Sequence, residues 1–236
     1  MWHFLCQKIR KEYFWYRKIP ENTCVFPLGV EELFMTKEGE PLAVKDIEDK
    51  GMKYFPDGTN IVHIANFYPW KRHFFLLNTL YPILKVNVYL ILVGNGPILE
   101  RVMNFAKKLG VRNNVIFTGK VDRKTVHYIL RNANLAVTAS LSETFGWCLL
   151  EPFCMDIPIV TTNVGIADSI ISDSHNGFIL DGGCSNQDFL EKSKMALKDL
   201  RSVDNTRAKQ IFHWDSFGEN CKKCYGNMIN DGKKEE

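Results

Sequence analysis

From Asn60 onward the chain alternates unbroken apolar runs with stretches whose apolar residues recur at helical spacing. The runs are Ile61–Asn66, Val86–Gly94, Asn114–Gly119, Asn134–Ser140, Ile157–Thr162 and Gly177–Leu180. They are continuous rather than alternately polar, which is the pattern of strands covered on both faces. Helical patterns fill the intervals at Lys71–Leu84, Pro97–Leu109, Arg123–Asn132, Gly146–Met155 and Ile166–Ser172. Pro97 in a first turn and Gly110 just past an end suit the usual asymmetry of helix termini. The alternation predicts an α/β fold, a doubly wound, Rossmann-like parallel sheet of about six strands with right-handed crossovers. Beyond Gly183 the pattern is helical only, at Asn186–Asp199, Thr206–Gln210 and Asp215–Met228.

Residues 1–59 fall outside this repeat. The stretch VFPLGVEELF, Val25–Phe34, reads as a short strand and turn, and Lys37–Gly58, dense in charge and glycine, as a loop or linker. The N-terminal MWHFLCQKIRKEYFWYRKIP is aromatic and basic without the apolar core of a signal peptide. It reads as a packing helix left from an upstream domain, with an amphipathic helix at an anionic membrane as the alternative.

Composition narrows the classes. With 236 residues, 45% hydrophobic and 24% charged, the chain can bury a substantial core. A net charge of +3 spread over short basic runs carries no footprint for nucleic acid. No segment reaches the roughly 18 apolar residues of a membrane span. Seven cysteines form an odd set without framework spacing, so reduced thiols in a cytoplasmic protein are expected. Cys221-Lys-Lys-Cys224 has no second pair to complete a metal site, and no metal is expected.

In doubly wound sheets ligands bind outside the carboxyl ends of the strands. Four loops fall there. Asn66–His73 places Lys71 and Arg72 at a helix start, where cations oppose the macrodipole unless an anion lies between. Gly94-Asn95-Gly96-Pro97 lacks the third glycine of a dinucleotide fingerprint, its place being taken by Leu99, which argues against NAD and for a tight turn with close backbone approach. Gly119, Lys120 and Val121 could bring main chain against a flat base. In SETFGWCLLEPF, Ser142–Phe153, Gly146 leaves a helix N-terminus bare for a diphosphate. Glu143 and Glu151 there are separated by seven residues, roughly 12 Å along a helix or less through a folded loop. The helical span exceeds the ~5–9.5 Å of a hydrolase carboxylate pair, so the two glutamates are expected to serve different parts of one elongated ligand.

These residues resemble family 4 glycosyltransferases, retaining enzymes of the GT-B fold. SETFGWCLLEPF is similar to the family's E-x7-E segment, FPLGVEELF to its entry into the C-terminal domain, and ANFYPWKRH to its GRL-x-x-x-KG loop. LILVGNGPILERVMNFAKKLGVRNNVIFTGKV resembles the G-x-GP … V-x-F-x-G region, and IPIVTTNVGIADSIISDSHNGFIL the G-x-PVV … GG-x-x-E … NG-x-L region. FHWDSFGENCKKCYGNM is similar to the closing F-S-W helix. Together they span roughly Val25 to Met228 in the family's order.

The resemblance implies that Glu151 binds the nucleotide ribose and that Glu143 lies beside the donor sugar. The backbone of Thr144, Phe145, Gly146 and Trp147 would contact sugar and diphosphate. Lys71 would bind the diphosphate, and Gly119–Val121 would lie near the base. A nucleoside-diphosphate sugar is the implied donor, and no cofactor is needed. The chain departs from the pattern at Asn66, where the family has arginine, leaving Arg72 as a possible substitute, and at Asp156 and Val164, where it has glycine. The resemblance also implies an N-terminal acceptor-binding domain, which leaves 1–23 as a remnant helix or linker, 24–212 as the nucleotide-sugar domain and 213–236 as closing helix and tail. The expectation is the donor-binding half of a retaining transferase, completed by an acceptor domain, a separate subunit or self-association, with possible peripheral membrane contact. The alternative is a non-catalytic module that binds a nucleotide sugar or a partner.

Overall fold

Two short strands open the chain: β1 (Trp2–Phe4) pairs in parallel with β2 (Thr23–Val25), Trp2 lying opposite Thr23 and Phe4 opposite Val25. The computed structural model describes residues 2–4, 10–11, 18, 23–38, 56–200 and 203–232. The expected N-terminal helix is corrected at His3 and Phe4, which are strand, while Arg10 and Lys11 are helical as expected; aromatic side chains suit a strand, and the partner at Thr23–Val25 supplies the ladder. Residues 5–9, 12–17 and the bulk of the expected loop Lys37–Gly58 lie outside the described residues.

The six apolar runs become the strands β3 (Thr59–Ile64), β4 (Val88–Val93), β5 (Val115–Gly119), β6 (Leu135–Thr138), β7 (Ile159–Thr162) and β8 (Gly177–Leu180). All pair in parallel, in the order β5-β4-β3-β6-β7-β8. The chain winds outward from β3 through β4 to β5, then returns to β6 and winds the other way. The order thus reverses between β3 and β6, the topological switch point where such sheets open a crevice.

Helices cover both faces. They are α1 (His73–Leu80), α2 (Leu99–Lys108), α3 (Arg123–Arg131), α4 (Trp147–Cys154), α5 (Ala167–Ile170) and α6 (Asn186–Asp199). A short α7 (Thr206–Lys209) precedes the long α8 (Trp214–Gly232). Neighbours on one strand face opposite layers. Ile61 joins a core with Leu76, Leu80, Val102 and Phe189, whereas Val62 joins one with Ile129, Leu149, Phe153 and Ile159. This two-sided burial is why the runs lack polar alternation. α2 begins at Leu99, two residues after Pro97, so that proline precedes the first turn instead of lying in it. The expected helix Ile166–Ser172 shrinks to four residues.

α8 returns to the segment after β2. Phe217 meets Phe26 with ring centroids 5.8 Å apart, and a side chain at Gly29 would meet the Trp214 ring at 2.7 Å. Cys24 and Cys224 form a disulfide across 200 residues, which corrects the expectation of seven reduced thiols. Spacing along the chain could not reveal this pair, because the return of α8 alone brings the two thiols together. Cys148, Cys154, Cys184 and Cys221 are free. No helix among the described residues is long and apolar enough to cross a membrane.

Candidate nucleotide-sugar cleft

Beyond the carboxyl ends of β3 and β6, a cleft of about 570 Å³ opens at the switch point. Its walls come from Asn66 and Lys71 after β3, Gly94 after β4, Lys120 and Val121 after β5, Glu143 to Phe145 after β6, and the first turns of α4. Gly94, at φ 136°, abuts the carbonyl of Ala65, which a Cβ would approach to 2.3 Å. The expected tight turn is thus a main-chain contact between the β3 and β4 loops, and only glycine allows it.

Lys71 ends a 3₁₀ turn, Pro69–Lys71, just before α1. Its Nζ lies 2.5 Å from Glu143 Oε1, and both side chains are largely buried. The same carboxylate oxygen accepts from Ser140 Oγ at 2.8 Å and faces Cys148 Sγ at 3.7 Å. Glu143 is therefore held by three donors from two loops and a helix. Burial, with Glu143 adding to it, pushes the Cys148 thiol far above its usual range, so it meets the cleft as a neutral donor.

Gly146 caps α4 at φ 101°, a left-handed conformation that favours glycine. Behind it the first-turn amides of α4 start at Trp147 and Cys148, both of which line the cleft. Five residues into the structure from Gly146, Glu151 is buried on the cleft wall with 2% of its side chain exposed. Its Oε1 pairs with Arg123 Nη1 at 2.7 Å. Burial raises the Glu151 carboxyl to about 7, against the lowering influence of Arg123.

Nine of the eleven singled-out residues line this one cleft: Lys71, Lys120, Val121, Glu143, Thr144, Phe145, Gly146, Trp147 and Glu151. Gly119 does not; its carbonyl accepts from the Gly94 N–H at 3.0 Å and from Thr118 Oγ1 at 2.9 Å. Arg72 points elsewhere. Its guanidinium lies over the Phe75 ring at 3.9 Å and donates to the Gly182 carbonyl at 2.7 Å, so in this arrangement it does not replace the absent arginine. Arg72 is left-handed, at φ 55°, where the resembled pattern has glycine; Asp156, at φ 54°, is the second such position. Asp156 compensates through Asn205 N at 2.7 Å and Lys209 Nζ at 3.0 Å.

Sequence reasoning missed Arg123, Ser140 and Cys148. Arg123 directly follows Asp122, whose side chain caps α3 by accepting from the Thr125 N–H at 2.8 Å. Nothing in the local sequence shows that its side chain reaches Glu151. Beneath the Lys71 loop lie two further unnoticed groups, His63 and His73, both fully buried. His63 Nδ1–H donates to the Val137 carbonyl at 2.8 Å, and the His73 ring stacks on Phe67 with centroids 4.0 Å apart. Burial lowers their pKa values to about 4 and about 2, so both are neutral supports of the loop.

Residues 45–211 match the family described as "Glycosyl transferases group 1". N-acetyl-alpha-D-glucosaminyl L-malate synthase of Bacillus anthracis is 31% identical over 124 residues, covering 52% of this chain and 32% of that protein. An uncharacterized glycosyltransferase of Methanocaldococcus jannaschii is 25% identical over 195 residues, covering 78% of this chain and 49% of that protein. The chain thus spans a third to a half of the length of these relatives. Among solved structures, Anabaena HepE in complex with UDP and glucose superimposes with a TM-score of 0.76 at 18% identity, over 95% of this chain and 62% of that one. Sucrose-phosphate synthase from Thermosynechococcus elongatus gives a TM-score of 0.78 at 17% identity, over 97% and 58%. These likenesses establish one Rossmann-like half of a GT-B fold. With a family match across most of the chain and that half-fold around the cleft, the chain belongs to the group 1 glycosyl transferases.

Proposed function

We propose that this chain is the C-terminal, donor-binding half of a retaining family 4 glycosyltransferase, with residues 24–212 forming the nucleotide-sugar domain. The observation that carries the reading is the convergence of Lys71, Glu143, Glu151 and the α4 N-terminus on one cleft at the switch point. These groups form a graded surface. Glu151, an acceptor, suits the ribose diol of a nucleoside. The α4 amides and Lys71 suit a diphosphate. Glu143, already balanced by Lys71 and Ser140, suits the hydroxyls of the transferred sugar. The complex of HepE with UDP and glucose supports the same ligand class here.

In the proposed reaction an acceptor hydroxyl attacks the anomeric carbon from the face that the diphosphate leaves. The carbon–oxygen bond to phosphate breaks, the new glycosidic bond forms, and the acceptor proton passes to the departing phosphate oxygen. Lys71 and the helix N-terminus stabilise the charge that develops on the leaving group. No protein nucleophile and no cofactor are required. An N-terminal domain or partner would supply the second wall, which positions the acceptor and excludes water.

Thermal-shift screening of the chain against UDP-, GDP- and ADP-sugars tests the reading. Stabilisation by at least one donor, lost on Lys71→Ala, is expected. The absence of any shift at millimolar donor would refute it.

A further inference from the structure

Arg123 lines the cleft but belongs to none of the groups assigned above, and two other segments fix it. Its Nη1 pairs with Glu151 at 2.7 Å and its Nε donates to Glu31 at 2.8 Å, while the guanidinium plane lies 4.5 Å over the Phe34 ring. It is also the first residue of α3, where the macrodipole disfavours a cation. Local helix stability therefore does not account for it; the two carboxylates do. A planar guanidinium holds both with donors fixed in direction, whereas an ammonium offers only a compact point charge.

We propose that Arg123 is a positioning residue that holds the Glu151 carboxylate as a charged acceptor facing the cleft, for the ribose of a nucleoside diphosphate; this rests on the donor-site reading above. A diol presents two O–H donors. An ionised carboxylate accepts both, whereas a protonated one has turned one oxygen into a donor.

The charges around Glu151 make Arg123 the deciding group. Facing it are Arg123 from α3 and Glu31 from the segment after β2. On its own helix lie the neutral thiols of Cys148 and Cys154. Across the cleft stand Lys71, paired with Glu143, and Lys120 on the rim. Burial and Glu31 both favour protonation of Glu151, and Arg123 alone is in contact to oppose them. Without it the carboxyl titrates at higher pH, and at neutral pH the acceptor is largely lost.

Calorimetric titration of UDP, GDP and ADP into the whole chain, from about pH 6 to 9.5, tests this on wild type, Arg123→Met and Arg123→Lys. For Arg123→Met we expect roughly tenfold weaker binding than wild type near pH 7, narrowing to within about twofold near pH 9.5. Arg123→Lys should lie between the two, because it keeps the charge without the fork. Superimposable profiles, or a loss of equal size at every pH, would overturn the Arg123 role while leaving the donor site standing. Should Arg123→Met fail to fold by circular dichroism, Arg123→Lys decides by the same two criteria. Wild type that binds none of the three nucleotides at any pH would remove the donor-site reading itself, and this role with it.

Discussion

Lys71 Nζ stands 2.5 Å from Glu143 Oε1, joining the loop after β3 to the loop after β6 across the switch point of the sheet. Neither loop could place these charges alone. Each group neutralises the other, and an arriving diphosphate shares the ammonium with the carboxylate. Lys71→Ala should therefore weaken binding of a nucleoside diphosphate by about 1.5–3 kcal/mol, the range for hydrogen bonds to charged groups, and that of the bare nucleoside far less. Calorimetry on the two ligands side by side checks this. Equal losses would assign Lys71 to the scaffold.

Glu151 is expected to act on the other end of the ligand. Glu151→Ala should cost nucleoside diphosphate and nucleoside alike roughly 1.5–3 kcal/mol, because the ribose is common to both. A 2′-deoxy nucleotide, which keeps only the 3′ donor, should lose clearly less on Glu151→Ala than the ribonucleotide does. Equal losses for the two ligands would place the ribose elsewhere.

Gly146 tests the helix N-terminus. Gly146→Ala forces an L side chain into a left-handed conformation at φ 101° and brings its Cβ to 3.4 Å from Leu149. The folded chain should lose about 1–2 kcal/mol of stability in urea melts. Diphosphate affinity should fall as well, since the first turn of α4 is re-aimed. Unchanged affinity in a destabilised protein would mean that those amides do not face the ligand.

The histidines beneath the Lys71 loop set an acid limit. Both have folded pKa values, about 4 for His63 and about 2 for His73, below the ordinary 6.5. Below about pH 6.5 the unfolded chain binds protons that the folded chain refuses, so stability falls with pH. The slope reaches about 1.4 kcal/mol per pH unit for each histidine, and about 2.7 for the pair between roughly pH 6 and 4. His73→Phe keeps the ring stack on Phe67 and should halve that slope. Melts of wild type and mutant that fall in parallel would show that His73 does not titrate as described.

The strands and the residues of the cleft were legible in the sequence because both obey local rules. Two-sided burial writes an unbroken apolar run, and a strand end followed by glycine and a helix marks a ligand loop. What escaped was set by distant approach. The reach of Arg123 to Glu151 and the meeting of Cys24 with Cys224 depend on how α3 and α8 return. Arg72 shows a second kind of limit. As the nearest cation it invited a role in place of the missing arginine, but its left-handed backbone carries the side chain to Phe75 and Gly182.

The central claim is that a nucleotide sugar lies in the cleft between the ends of β3 and β6. Amide chemical-shift mapping of the labelled chain with a UDP-, GDP- or ADP-sugar tests it most directly. The account predicts that at least one donor shifts the amides of Lys120, Val121, Gly146, Trp147 and Cys148 together. Donor-induced shifts confined to other surfaces, such as the lysines Lys194 and Lys198 of α6, with those five unmoved, would contradict it.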